Sequence, residues 1–576
     1  MQILLRHAQK YRLEIFFTVL AVIIMAAASL WQPHLLQKMI SAIIADNQNQ
    51  VIEYGIQLVG LAVIGIVAGV LNTVLAAKVS QSIAADIRAE QYRKIQTFSF
   101  GNIETFSAGN LVVRMTNDVN QVQQLIMTLL QSLLRIPILF VGAVILAIVT
   151  IPSLWWIVVL MIAAILLSSQ GIFKQMGKYF FKIQNLIDLN NTLAKENLQG
   201  VRVVKSFNQE ASEIERFSNN TDDLVDVNIK IGYLFNFLFP IFMVISYLAI
   251  GTALLLVGQD IVGHPDNLAA ITPFISYVMQ ILFAIMIGGM VSTFASRGFV
   301  SLGRIQAVLS TEPDIVYDAK APEEKLTGDV SFKHVSFTYP GDDQPALKDI
   351  SFDIKAGEMV GIVGATGSGK TTLAQLIPRL YDPTQGEVAV GNIDLKQVNE
   401  RSLRQAVSLV LQKAILFSGS IADNLRHGNP RHGNPQANTD DMKRAATIAQ
   451  AAEFIDRYED GFNHEVDERS SNFSGGQKQR LSIARGVIGK PKVLILDDST
   501  SALDARSEKL VQEALNRDLQ GTTTLIIAEK ISSVIHADRI LVLDQGQLVA
   551  VGNHHELLNS SPIYREIYET QKAKED

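Results

Sequence analysis

The stretch GIVGATGSGKTTLAQLI, residues 361–377, decides how the second half of this chain folds. An apolar run enters it and a helix-compatible run leaves it, which reads as strand, loop, helix. Between them, Gly364 to Thr371 fits G-x-x-x-x-G-K-[ST]. Glycines at 364, 367 and 369 let the backbone N–H groups of Ala365, Thr366 and Ser368 approach phosphate oxygens, and the helix start adds positive potential. Lys370 is placed to reach the outer phosphates, Thr371 to ligate Mg²⁺, and Thr372 to complete the nucleotide site.

Further along, VLILD, residues 493–497, reads as a buried strand ending on Asp497, the second acid such a phosphate site needs for Mg²⁺. It runs straight into Asp498. NFSGGQKQRLSIARG, residues 472–486, exposes the N–H groups of Ser474, Gly475 and Gly476 before a helix expected near Gln477. The chain thus carries two phosphate-seeking elements on an α/β pattern.

Upstream of Arg304 the composition changes. Hydrophobic residues make up 48% of the 576-residue chain and are concentrated in its first 300 positions. Six stretches there, roughly 13–31, 56–77, 126–150, 154–172, 233–257 and 270–294, are long and apolar enough to span a bilayer. The two long connections carry many basic residues, among them Arg88, Lys174 and Lys205. The positive-inside rule therefore puts them and both termini in the cytoplasm. The three tryptophans, Trp31, Trp155 and Trp156, fall at the opposite span ends. The basic N-terminus lacks a small-residue cleavage site and reads as a cytoplasmic flank. Net charge is −6 without a basic tail, which argues against nucleic acid as a partner. The absence of cysteine excludes disulfides and thiolate metal sites. The division expected is a six-helix all-α transmembrane domain (1–303), a linker (304–326) and an α/β P-loop nucleotide-binding domain (327–576).

Together the motifs resemble the ATP-binding cassette of ABC transporters: GATGSGKT, a glutamine loop at Gln412 in LVLQKAILF, the signature FSGGQ, VLILD, and the S-A-L-D loop ending at Asp504. Tyr339 in VSFTYPG matches the position that stacks on adenine. The six-span half looks like the membrane half of the exporter type. GNLVVRMTNDV (109–119) and the stretch from Asn185 through Glu196 to KSFNQE look like its coupling segments. The resemblance implies ATP and Mg²⁺ (held by Thr371, Gln412 and Asp497), a multi-pass location in the cell membrane among its lipids, and a dimer. Each ATP then lies between one chain's phosphate loop and the other chain's Ser474–Gln477.

Two residues depart from the family pattern. Asp498 stands where a glutamate usually positions the attacking water, one methylene shorter and about 1.5 Å short in reach. Glu529, in TLIIAEKISSV, stands where a histidine usually donates to the γ-phosphate, and an ionised carboxylate cannot donate. With an intact signature, this resembles the degenerate-site subunit of heterodimeric bacterial multidrug exporters. Its partner would be a second half-transporter with the consensus catalytic residues. The alternatives are a homodimeric exporter or lipid flippase with slow hydrolysis, and an ATP-gated non-hydrolytic membrane regulator.

The cargo is expected to be a lipophilic small molecule. Met279, Phe283, Met286 and Met290 recur on one helix face and offer an adaptable binding surface, or ordinary packing. The aromatic run Phe235, Phe237, Phe239 and Phe242 is open to the same two readings. Arg135, inside the third span, reads as functional or, more simply, as snorkelling to the cytoplasmic interface. The tandem repeat RHGNPRHGNP (426–435) reads as a surface loop, not a metal site.

Overall fold

The computed structural model describes residues 2–259, 267–318, 320–428 and 438–575. Most of the loop QDIVGHPDN and of the repeat RHGNPRHGNP therefore lies outside the described residues, as does the side chain of Met290. The described residues form two compact units, 1–95 with 109–310, and 96–108 with 311–576.

The first unit holds six helices long and apolar enough to cross a membrane. After a short helix α1 (Gln2–Ala8) come α2 (Arg12–Ile44) and α3 (Gln48–Ile95). A broken helix follows over Ala108–Thr150, interrupted by π-helical turns at Arg114–Asp118 and Leu129–Leu133. Then come Trp155–Gln199, Glu210–Gln259 and Asn267–Ser310. Helices satisfy their own backbone groups, which is what a lipid environment demands. At 48 residues α3 is about 72 Å long, more than twice a hydrocarbon core of about 30 Å, so one end continues into water. Phe274, Tyr277, Ile281 and Met161 are fully buried between helices, while Leu167 and Leu255 stay exposed, as a lipid-facing or partner-facing surface requires. Buried Asn72 ties three helices by donating to the carbonyls of Thr18 and Leu130, each at 3.3 Å.

The last of these helices runs to Ser310, past the expected boundary at Arg304, because Ile305 and Val308 continue its buried stripe. The first strand of the second unit starts at Val330.

Two sheets organise that unit. One is antiparallel, in the order β2 (Leu347–Ile354), β1 (Val330–Phe337), β4 (Gln385–Val390), β5 (Ile393–Asp394). The other runs β12 (Gln547–Gly552), β11 (Arg539–Asp544), β3 (Met359–Gly364), β10 (Thr523–Ile527), β9 (Val493–Asp497), β6 (Val407–Val410). All its pairings are parallel except β11 with β12. A small pair, β7 (Gly419–Ser420) with β8 (Glu465–Val466), completes the strands. Ile527 pairs with both Ile362 and Asp497, so β10 and β9 end level and β3 runs two residues further. Carboxyl ends of parallel strands are where α/β sheets bind ligands.

Residues 96–108 cluster with this second unit. Ser99 and Asn102 form a capping box on a helix at Phe100–Phe106. Ser99 Oγ donates to Asp314 at 3.0 Å, and the Asn102 amide donates to the Glu312 carbonyl at 3.4 Å. Phe100 meets Tyr381 edge-on at 6.4 Å. The piece that joins the cassette thus ends just before GNLVVRMTNDV, which stays with the helical unit, as does the Asn185–Glu210 stretch.

His554 reports on the fold of the C-terminal end. It is buried, with Nδ1 2.8 Å from the Tyr564 hydroxyl, and burial holds its pKa below 6.5. Below that pH the unfolded chain takes up this proton first, so stability falls with pH. Melting measured at pH 7.5 and 5.5 should show a smaller loss for His554→Gln than for the unsubstituted protein.

Candidate functional site

The loop between β3 and the helix at Lys370–Leu376 needs its glycines. Gly367 and Gly369 take φ of 81° and 97°. At Gly364 a Cβ would sit 2.1 Å from the Leu543 carbonyl oxygen. Lys370 is buried, and its ammonium donates to the carbonyls of Gly364 and Ala365, both at 2.9 Å. Burial lowers its pKa, opposed by the charges of Glu529, Asp497 and Asp498. Three carboxylates thus act on one lysine. Ser368 Oγ is buried with no hydrogen-bond partner, an orphan polar atom in a loop shaped for an anion.

Asp497, at the buried end of β9, accepts a hydrogen bond from Thr371 Oγ1 at 3.2 Å. Burial raises its pKa and the Thr371 bond opposes that. The hydroxyl of Thr371 and the carboxylate of Asp497 come together as hard-oxygen groups that suit Mg²⁺, while the Gln412 amide is bonded to Asp498. Asp498 turns away from the strand at φ 45°, a region aspartate tolerates better than most residues. Its carboxylate accepts from Gln412 Nε2 at 3.1 Å, and its N–H donates to Ile527 O at 2.8 Å.

Tyr339 is anchored by its hydroxyl, 2.9 Å from Thr372 Oγ1 and donating to Gln375 at 3.2 Å. Phe337 and Tyr381 meet its ring edge-on at 4.9 and 5.5 Å. The aromatic position is therefore fixed to the helix that follows the phosphate loop.

The signature helix, Gly475–Val487, starts two residues before the expected Gln477. Ser474 and Gln477 cap it reciprocally: Ser474 N donates to Gln477 Oε1 at 2.8 Å, and Gln477 N to Ser474 Oγ at 3.3 Å. Asp504 caps the helix Ala505–Asp518 through the N–H of Ser507 at 2.9 Å. Among the described residues, no hydrogen bond or ion pair joins Ser474–Gln477 to Gly364–Thr371. One chain holds both phosphate-seeking elements without bringing them together.

One contact escaped the sequence reading. Gln571, on the C-terminal helix Pro562–Glu575, donates to the Glu529 carbonyl at 2.7 Å and accepts from Ile531 N at 2.8 Å. A single side-chain amide thus fixes the loop that carries Glu529. Gln571→Ala should speed hydrogen exchange at the Ile531 amide about fivefold, the equivalent of one hydrogen bond of about 1 kcal/mol. Unchanged exchange would mean the loop is held elsewhere.

The proposed cargo face divides. Phe283 is exposed and lines a cleft between helices, while Met279 and Met286 pack against the buried core. Phe242 is buried, whereas Phe235, Phe237 and Phe239 are exposed.

Comparison with known proteins gives concordant matches. Residues 15–286 match the ABC transporter transmembrane region and residues 347–501 the ABC transporter family. An uncharacterized ABC transporter ATP-binding protein of Bacillus subtilis, YfiB, is 35% identical over 100% of this chain and 99% of its own length. An ATP-dependent lipid A-core flippase of Pseudomonas putida is 33% identical over 86% of this chain and 82% of its own. A bacterial Atm1-family ABC exporter solved with ATP bound superposes with a TM-score of 0.78 at 25% identity, covering 97% of this chain and 98% of that one.

Proposed function

The chain belongs to the ABC transporter family, as a multi-pass membrane protein of exporter fold with a transport ATPase domain, and from that premise we propose that it is the degenerate-site half of a heterodimeric exporter of lipophilic compounds. Its termini and long helical extensions face the cytoplasm. Its own phosphate loop, with Asp498 and Glu529, holds ATP and hydrolyses it slowly. Its Ser474–Gln477 closes over the ATP held by a partner that brings the glutamate and histidine. Mg²⁺ on Thr371, Asp497 and Gln412 would neutralise phosphate charge in the site.

One observation carries this reading: Asp498, bonded to Gln412, and Glu529, whose charge acts on Lys370, are both carboxylates of this nucleotide site. A site that must stabilise charge developing on a leaving phosphate gains from donors and cations, not from an added carboxylate. Glu529 works against that stabilisation, and Asp498, tied to Gln412, has too short an arm to replace the usual base. The chain can keep ATP without turning it over efficiently, while its ordered signature serves its mate.

The reading is tested in the assembled pair with a photoreactive ATP analogue during steady turnover. Label recovered on this chain should be mostly triphosphate, and label on the partner mostly diphosphate. Equal diphosphate on both chains would instead support two active sites, as in a homodimeric exporter or flippase.

A further inference from the structure

Arg135 lines a polar cleft between the helices of the first unit. The helical stretch Arg135–Thr150 has 16 residues, about 24 Å. With Thr150 at the outer edge of a hydrocarbon core of about 30 Å, Arg135 lies about 6 Å inside the opposite edge. Its side chain lines a cleft of about 420 Å³ together with Ser29, Gln32, Ser132 and Gln280. The Arg135 Nε and the Gln280 carbonyl oxygen are buried without hydrogen-bond partners. Among the described residues, no carboxylate lies within ion-pair distance of Arg135.

An unpaired arginine at this depth is costly and marks a functional position. The backbone is specialised there too. The π-helical turn Leu129–Leu133 ends two residues before Arg135, and such turns gather at functional sites. The cleft is also lined by apolar Leu139, Phe283 and Ile287, one or two turns along the same helices from Arg135 and Gln280. A cation with amide and hydroxyl groups, next to apolar side chains, is complementary to an anionic head joined to an apolar body.

We propose that this cleft binds the negatively charged head of an amphipathic cargo, with the Arg135 guanidinium as its charge partner and Gln32 and Gln280 as neutral ones. This deepens the export reading by assigning the cargo a charge, and it rests on that reading for the cleft's role in transport.

The test is a titration of the full-length protein in neutral detergent, without nucleotide. The probes are short-chain phosphatidic acid and phosphatidylcholine with identical tails. The unsubstituted protein should bind the phosphatidic acid about tenfold more tightly. Arg135→Gln should abolish that preference. Arg135→Lys and Arg297→Gln, the latter at an exposed arginine lower on the last helix, should keep it. Gln32→Leu, on a separate helix, is the second variant and should weaken phosphatidic acid about threefold with phosphatidylcholine unchanged. Inorganic phosphate that fails to displace the probe identifies a lipid-like head as the ligand, and displacement identifies a free anion. No preference in the unsubstituted protein, or a preference untouched in both Arg135→Gln and Gln32→Leu, overturns the proposal. Because no ATP is present, that failure would leave the assignment of the two nucleotide sites standing, and the failure of that assignment would leave this result intact.

Discussion

Ser474→Ala in the assembled pair should cut ATP turnover about 10²-fold, the usual cost of removing one preorganised anion-stabilising donor, whereas Asp498→Asn should cost less than about threefold. Ser474 does two things. Its Oγ caps the N–H of Gln477 and so fixes the start of the Gly475–Val487 helix, and its hydroxyl and N–H lie at the positive end of that helix. Removing the cap loosens the start of the helix at the point where the partner's ATP would rest. Asp498 by contrast is bonded to Gln412 and serves a site that contributes little to the pair's turnover. Steady-state hydrolysis by the two variant pairs measures the ratio. Comparable losses would mean that both nucleotide sites do similar work.

Lys370→Ala and Glu529→Gln should move ATP affinity of this chain's own site in opposite directions. Lys370 donates to its own loop's carbonyls and is placed to turn onto the β- and γ-phosphates. A hydrogen bond to a charged group is worth about 1.5–3 kcal/mol. Its loss also removes a cation on which the charges of Glu529, Asp497 and Asp498 act. A decrease of about 10²-fold in affinity is expected. Glu529→Gln removes one repelling charge and should tighten binding about fivefold, close to 1 kcal/mol of screened repulsion. Equilibrium binding of a labelled, non-hydrolysed ATP analogue reads both. Weaker binding in Glu529→Gln would show that Glu529 assists the nucleotide.

The phosphate site was legible because its chemistry is local. Gly364 to Thr371 and the run into Asp497 each carry their signal within a few residues, and β3 and β9 then bring the two together through Thr371 and Asp497. The six spans were legible for the same reason, since their length and apolarity are read one window at a time. What the sequence hid depends on residues far apart in the chain. Ser99 meets Asp314, and Gln571 holds the backbone beside Glu529, with no motif to announce either contact. The charges acting on Lys370 were hidden as well, because Glu529 follows β10 while Lys370 opens the helix after β3, and only the parallel pairing of those two strands brings both segments to the same end of the sheet. Arg135 was open to two readings from its position in a span, functional or snorkelling, and only the packing of three helices discloses the polar cleft it lines.

The most direct measurement of the central claim is ATP hydrolysis by the purified chain without any partner, compared with the same chain carrying Asp498→Asn. A slow rate that the substitution leaves within about twofold is the expected result, since Asp498 then does little of the chemistry. Vigorous hydrolysis that disappears in Asp498→Asn would contradict the account and make this chain a self-sufficient transporter half.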